Sequence, residues 1–321
     1  MTVAACLLLY GFAVAVLAPR LLLRVSHGSA APHVALAAWL TSIASTVLAW
    51  AVALVILILD LVTHQVRTVP HRFMDTCLVH LHDAVVGDYG APIQVGLLLL
   101  AGFSALAATT VAVRLGSSLL RSRRITLEHG RMARLAGRHH SGLDAVILEV
   151  DEPAAYCVAG KPHTVVVSRG VLDALGDEHV AAVLSHERAH LTGRHHLLLA
   201  VTRGLTAVMP RIDLFAVGAV EIARLLEMIA DDAAARIHGR ATVFQALLAL
   251  SGLSTGPAGA PRGAEEGLAT RLQRLSEPSA SIVRTRARLA LTAGAAAAIL
   301  VPLASVVTAV IALAICSPLE N

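Results

Sequence analysis

Two histidines four residues apart, with a glutamate directly after the first, are the side chains of this chain best suited to chemistry. They are His186, Glu187 and His190, and they follow an apolar run from Val180 to Leu184. On a helix, residues four apart lie on the same face, so both imidazoles can reach one metal ion. Glu187 lies about 100° round such a helix from His186 and can address a water molecule bound to that metal. The spacing predicts a hydrolytic metal centre on a helix.

The pattern H-E-x-x-H is typical of zinc metalloproteases, in which the glutamate acts as general base. A catalytic zinc ion takes three protein ligands and one water molecule, so a third ligand is expected elsewhere in the chain. Because the chain has no C-x-x-C pair, a zinc site built from thiolates is not expected. The candidates downstream of the motif are His195, His196, Glu221, Glu227, Asp231, Asp232 and His238.

Glu227 and Asp231 form the most suggestive pair among these candidates. They are four residues apart in a predicted helix and therefore share one face. Glu227 could supply the third ligand, and Asp231 could hold the far nitrogen of a histidine ligand. A solvated acidic face explains the same spacing, and the residues alone leave both interpretations open.

The composition indicates a membrane protein. Of the 321 residues, 56% are hydrophobic and 15% are charged, whereas soluble domains average about 25% charged residues. The mean hydropathy is +0.71. A net charge of +4 is too small to indicate nucleic-acid binding. Four apolar stretches are long enough to cross about 30 Å of hydrocarbon, and these predicted transmembrane helices are 3–23, 34–62, 93–113 and 289–315.

Arginines flank these predicted helices and orient them. By the positive-inside rule the arginine-rich flanks are cytosolic, so the N-terminus and the loop at about 63–91 face outside. The chain then divides into a membrane domain (1–115) with three transmembrane helices, a cytosolic domain (116–284) with the motif, and a segment (285–321) with the fourth transmembrane helix and a short outer tail. The flanking arginines are Arg20, Arg24, Arg114, Arg121, Arg123, Arg124, Arg284, Arg286 and Arg288.

Inside 116–284, the residue patterns predict strands before the motif and helices from the motif onwards. Asp177 is expected to cap the motif helix, and Gly193 to end it. The apolar stretch 197–220, interrupted by Arg203 and Pro210, is expected as a buried or interfacial helix. The predicted fold class is a mainly α membrane protein whose four transmembrane helices carry an α+β domain inserted between the third and the fourth. The predicted strands are 145–150, 154–158 and 164–168, and the predicted helices are 171–175, 178–191, 214–237, 241–253 and 269–275.

The strand 164–168 is a candidate for substrate binding. As an edge strand it could pair with an extended substrate through Val165, Val166 and Val167. A half-buried structural strand is an equally good interpretation.

Several polar or small residues receive structural interpretations. His195 and His196 are expected just past the end of the motif helix, either solvated or near lipid headgroups, and Arg138–His140 is expected to form an exposed turn. Cys77 and Cys316 could form a disulfide in an oxidising exterior, although two independent small apolar residues explain them better.

A family resemblance adds to these inferences. Glu227-Met228-Ile229-Ala230-Asp231 resembles the E-x-x-A-D element of the gluzincin membrane peptidases, which include the HtpX/Ste-type and BlaR/MecR-type proteases. The segments 156–160 and 165–170 resemble the strand-turn-strand lead into their catalytic helix, and the order of spans is that of the BlaR/MecR group. The resemblance implies that His186, His190 and Glu227 bind zinc, that Glu187 is the general base, and that Asp231 orients a ligand.

The expected function is that of a zinc-dependent endopeptidase in the cell membrane, acting on a protein substrate on the cytosolic side. The family suggests a cytosolic transcriptional repressor as substrate or, as in HtpX-like quality control, damaged membrane proteins. A non-catalytic, zinc-stabilised receptor is the alternative from another class, but a structural zinc ion has no use for Glu187. Only Cys316 to Asn321 follow the last span, where the sensor members carry a penicillin-binding domain, so antibiotic sensing by that route is not expected.

Overall fold

The structure is a computed structural model that describes residues 2–26, 30–63, 91–253, 262–277 and 281–316. The chain divides into two compact units, one of residues 1–21, 40–114 and 293–321, and one of residues 22–39 and 115–292. We call the first the helical unit and the second the mixed unit. The predicted outer loop, with Cys77, and the end of the outer tail lie outside the described residues.

The elements follow one another along the chain as long helices, a small sheet, and then helices again. They are α1 (Thr2–Ser26), α2 (Pro32–Thr63), α3 (Ala91–Ala136), β1 (Arg138–His140), β2 (Ala145–Leu148), β3 (Ala155–Val158), β4 (Thr164–Ser168), α4 (Arg169–Ala174), α5 (Asp177–Thr192), α6 (His195–Val208), α7 (Asp213–His238), α8 (Arg240–Leu253), α9 (Arg262–Ser276) and α10 (Ser281–Cys316).

Three helices are long and apolar enough to cross a membrane, among the residues that the structure describes. These spans are Val3–Ser26, Pro32–Ile58 and Arg284–Ala304, and they correspond to the first, second and fourth predicted transmembrane helices. Helix α3 contains the third predicted span and continues without a break as the arginine-rich helix that follows it. Its passage through the membrane stays a prediction.

Small residues allow the helices of the helical unit to approach closely. Ala4 of α1 and Ala49 and Ala53 of α2 are fully or almost fully buried together with Leu7. Close packing of small residues is a general source of helix association in lipid, where hydrophobic burial between helices gives little. The Tyr10 hydroxyl donates to the carbonyl oxygen of Ala298, 2.7 Å away, and so joins α1 to α10.

The sheet of the mixed unit has four strands in the order β1-β2-β4-β3. Strand β1 corrects the prediction of an exposed turn at 138–140, since His139 pairs with Val146 in an antiparallel ladder. The residues of β1 are exposed because this strand forms one edge of the sheet. Gly137 makes the pairing possible, because a side chain there would collide with Val146 and with the carbonyl oxygen of Ile147.

Strand β4 is an interior strand, which overturns the prediction that it forms an edge. It pairs in parallel with β2 and in antiparallel orientation with β3. All of its residues are buried, including Val165, Val166 and Val167, so no substrate strand can be added beside them. A continuous run of valines is typical of a strand covered on both faces. The free edge on this side of the sheet belongs to β3.

Helix α5 carries the motif and is anchored on the sheet by its first turns. Val180, Val183 and Leu184 pack with Val167 of β4 in one buried cluster. The N-cap is Gly176, whereas Asp177, the predicted cap, is the first helical residue. An acidic side chain in the first turn still interacts favourably with the positive end of the helix dipole. The helix ends at Gly193, as predicted.

The helices after the motif depart from the predicted bounds at two places. The stretch predicted as a single buried or interfacial helix over 197–220 is divided, because α6 ends at Val208 and α7 begins at Asp213. The hydroxyl of Thr206 donates to the carbonyl oxygen of Phe215, 2.9 Å away, and holds the two helices together across this break. Helix α9 is longer than predicted, since it begins at Arg262 and the predicted helix began at residue 269.

The close approach of backbone at Gly170 yields a test of this fold. A side chain there would overlap the carbonyl group of Asp151, which belongs to the backbone and cannot rotate away. We expect Gly170→Ala to lower the free energy of unfolding by about 2 kcal/mol, the cost of overpacking a closed site. The readout is the melting temperature of the detergent-solubilised protein. Gly252→Ala is the control, because its position is open, and an equal loss in both variants would contradict the assigned contact.

Candidate metal centre

Helices α5 and α7 bring three potential ligand side chains to one point. The two Nε2 atoms of His186 and His190 lie 3.2 Å apart. Each lies 3.5 Å from a carboxylate oxygen of Glu227. A tetrahedral ion with ligand distances of about 2.0–2.1 Å separates its ligand atoms by about 3.3 Å. The three side chains therefore fit a single metal ion such as zinc.

The outer nitrogens of both imidazoles are also engaged. His186 Nδ1 lies 3.0 Å from Asp231 Oδ1, and His190 Nδ1 lies 2.9 Å from His195 Nδ1. A carboxylate can only accept, so Nδ1 of His186 donates to Asp231, and Nε2, the nitrogen that gives up its proton when a metal binds, faces Glu227. Hydrogen bonds of this kind set the tautomer and the orientation of a metal-binding imidazole.

The position of His195 corrects the expectation of a solvated side chain. Only 4% of His195 is exposed. Arg194 has the left-handed conformation (φ 50°, ψ 35°), so the chain turns back at once and α6 begins at His195. Gly193 leaves room for this turn, because a side chain there would collide with the His195 ring. The sequence signal for this position of His195 is the glycine at the end of the motif helix, followed two residues later by a histidine. His196 faces elsewhere, 6.5 Å from the His163 ring.

Arg271 of α9 is a further member of the site that the sequence patterns did not indicate. Its Nε and Nη2 atoms donate to the two oxygens of Asp231, each 2.7 Å away. Its Nη1 atom lies 3.1 Å from Glu227 Oε2. Paired contacts of a guanidinium with a carboxylate fix geometry as well as charge. Arg271 thus positions Glu227 and Asp231 together.

The charges around the site favour an ionised pair of carboxylates. Burial raises the pKa of Glu227, but the hydrogen bond with His186 and the charge of Arg271 outweigh burial and hold the pKa at about 2. Burial likewise raises the pKa of Asp231, and the hydrogen bonds with Arg271 and His186 lower it to about 2. Burial lowers the pKa of His190 to about 4, so this imidazole is neutral, as a metal ligand must be.

Glu187 faces a cavity beside the three ligand atoms. The cavity has a volume of about 380 Å³ and is lined by Ala154 and Ala155 next to the β3 edge, as well as by Glu187 and Glu227. Burial raises the pKa of Glu187, and the charge of Glu227 raises it further. Cys157 of β3 contacts Glu187, and burial and the glutamate charge raise the pKa of this thiol to about 12. A carboxylate with a raised pKa is a better proton acceptor than an exposed one.

Three other candidates for the third ligand are paired with residues outside the metal centre. Glu221 forms an ion pair with Arg224 at 2.8 Å, and Asp232 forms one with Arg274. His238 Nε2 lies 2.7 Å from the Ser185 hydroxyl. Of the seven downstream candidates, Glu227 is the one that the structure groups with His186 and His190.

Comparison with known proteins agrees with the chemistry of this site. The family model of peptidase family M48 matches residues 119–256, a stretch that contains the motif helix, Glu227 and Asp231. No solved structure matches the chain. The match supports a zinc metallopeptidase family, and the protein is a metalloprotease, a hydrolase with apolar helices suited to a membrane.

Removal of Glu227 tests its place in the centre. We expect Glu227→Ala to lose most of the bound zinc because one of three protein ligands is deleted, whereas Asp231→Asn loses less because an amide oxygen still accepts from His186 Nδ1. Zinc per protein is measured by inductively coupled plasma mass spectrometry. Glu152→Ala removes an exposed carboxylate as the control. Equal zinc content in Glu227→Ala and wild type would place the third ligand elsewhere.

His195 offers an independent test because its neighbour is a matched control. We expect His195→Ala to weaken zinc binding by about 10- to 100-fold, since the hydrogen bond to His190 Nδ1 is lost. His196→Ala should bind zinc as wild type does. Affinity is measured by competition with a chromogenic chelator. Identical affinities of the two variants would show that the contact with His195 does not support the metal centre.

Proposed function

We propose that the protein is a membrane-embedded, zinc-dependent endopeptidase that cleaves a protein substrate on the cytosolic side. The observation that carries the proposal is the convergence of His186, His190 and Glu227 at tetrahedral spacing next to Glu187. A structural metal site would be closed by a fourth protein ligand. Here the described residues group three ligands, and a glutamate and a cavity lie beside them.

In this proposal His186, His190 and Glu227 hold the zinc ion. The bound ion would polarise the scissile carbonyl group and lower the pKa of a water molecule. Glu187 would accept the proton of that water and pass it to the leaving amine, for which its raised pKa suits it. Asp231 would keep His186 oriented, and Arg271 would keep Glu227 and Asp231 in place.

We infer that the substrate binds as an additional strand at β3. This strand is the edge of the sheet nearest the centre, and Ala154 and Ala155 line the same cavity as Glu187. Main-chain hydrogen bonds of an added strand give affinity with little dependence on side chains. Val243 and Leu247 of α8 also line the cavity, so an apolar substrate residue would be favoured beside them.

The cytosolic placement rests on the arginines that flank the predicted spans. Arg121, Arg123 and Arg124 lie on α3 just beyond the third predicted span, and Arg284 and Arg286 lie at the start of α10. Excess arginine marks the cytosolic side of membrane helices. Residues 125–283, which make up most of the mixed unit, lie between these flanks in the chain, and we place them in the cytosol.

Two substrate classes agree with the resemblance to the BlaR/MecR-type and HtpX-type proteases. A regulatory protease would leave one uncleaved repressor when inactivated, whereas a quality-control protease would leave many membrane proteins. Quantitative proteomics of cells with wild type or the Glu187→Gln variant separates the two. We favour the repressor because the order of predicted spans is that of the BlaR/MecR group.

The mechanism predicts that Glu187→Gln retains zinc but loses proteolysis. Glutamine keeps the size of the side chain and cannot accept the proton, so the rate should fall by about 10³-fold. Cleavage of a fluorescent casein is measured in detergent, together with zinc content. Glu178→Gln, on the same helix but outside the cavity, is the control. Zinc-dependent cleavage that survives Glu187→Gln would rule out this mechanism.

A further inference from the structure

A second cavity in the mixed unit has a strongly positive lining. Its volume is about 400 Å³, and among the residues described it is lined by five guanidinium groups and one carboxylate, that of Asp232. The arginines are Arg236, Arg240, Arg274, Arg284 and Arg288. Converging like charges raise the electrostatic energy of a protein unless an anion neutralises them.

Two of these arginines are held in place by hydrogen bonds. Arg274 contacts Asp232 and donates to the carbonyl oxygen of Met228 at 3.4 Å. Arg240 donates to the carbonyl oxygen of Arg274 at 3.2 Å. Their positions are therefore set before any ligand arrives, which reduces the entropy lost on binding. Guanidinium groups match the oxygens of a phosphate in shape and charge.

The location of the cavity indicates where such a phosphate would come from. Pro32 and His33, at the start of α2, line one side, and Arg284 and Arg288, at the start of α10, line another. Both helices contain candidate membrane spans, and these spans begin at Pro32 and at Arg284. The first turn of α2 also presents the positive end of a helix dipole. The cavity thus lies at the first residues of two candidate spans, where lipid headgroups would be within reach if both helices cross the bilayer.

We propose that this cavity binds the phosphate group of an anionic phospholipid headgroup. Basic pockets at the cytosolic ends of membrane helices recognise anionic headgroups in this way. The cavity is distinct from the metal centre, since it shares no lining residue with the cavity of Glu187. A soluble phosphate has the same chemistry but does not require a site at the ends of two spans.

The test compares two double variants of the full-length protein. Arg236→Gln/Arg288→Gln removes two exposed arginines from the cavity. Arg121→Gln/Arg123→Gln removes two exposed arginines from α3 beside the third predicted span, so the change in net charge is the same. Binding of phosphatidylglycerol and of phosphatidylcholine is measured by native mass spectrometry of the detergent-solubilised protein. We expect phosphatidylglycerol to bind about tenfold less tightly to the cavity variant, and as in wild type to the control.

Each outcome decides the proposal. Equal loss of phosphatidylglycerol in both double variants would show general attraction to the basic surface and overturn it. Inorganic phosphate is added as a separate arm: if millimolar phosphate displaces the lipid and phosphatidylglycerol is not preferred over phosphatidylcholine, a soluble phosphate is the ligand and the lipid assignment is wrong. Melting temperatures identify a variant that has lost its fold, and in that case the single substitution Arg288→Gln replaces it.

Discussion

The candidate metal centre depends on the buried carboxylate of Asp231. Only 1% of this residue is exposed, and an ion so buried is tolerated only when its charge is paired and its oxygens are hydrogen-bonded. His186 of α5 and Arg271 of α9 supply both requirements. One side chain of α7 therefore ties together three helices. Loss of either partner would leave a charge in the interior, which is a large energetic cost compared with the net stability of a domain.

The same interaction sets the orientation of the side chains at the candidate metal centre. Because Asp231 accepts from Nδ1 of His186, Nε2 is directed at Glu227, and His195 acts on His190 in the corresponding way. The sheet contributes from the other side, where its edge strand β3 lies next to Glu187. The side chains of the site are therefore held by helices and a strand rather than by loops. Such elements keep reacting groups at fixed distances and angles.

Two adjacent residues of α7, Asp231 and Asp232, face different cavities. Asp231 lines the cavity of Glu187, while Asp232 lines the basic cavity and pairs with Arg274. On α9, Arg271 and Arg274 are three residues apart, and each contacts one of these two acids. The helices α7 and α9 thus separate a centre that could hold a metal cation from a cavity whose arginines suit an anion. In the proposed function, proteolysis and contact with the membrane surface are served by neighbouring side chains of the same two helices.

The local pattern by itself determined the motif helix, its end at Gly193, three of the four strands before it and three of the four predicted apolar spans, because hydrophobic periodicity and glycine act over a few residues. It also singled out the spacing of Glu227 and Asp231, but a solvated acidic face had the same spacing. Only the tertiary structure decided that α7 turns these acids towards the histidines, that β4 is interior, and that His195 and Arg271 reach the site. These facts depend on contacts between residues far apart in the chain or across a left-handed turn, and no short-range pattern in one sequence records such contacts.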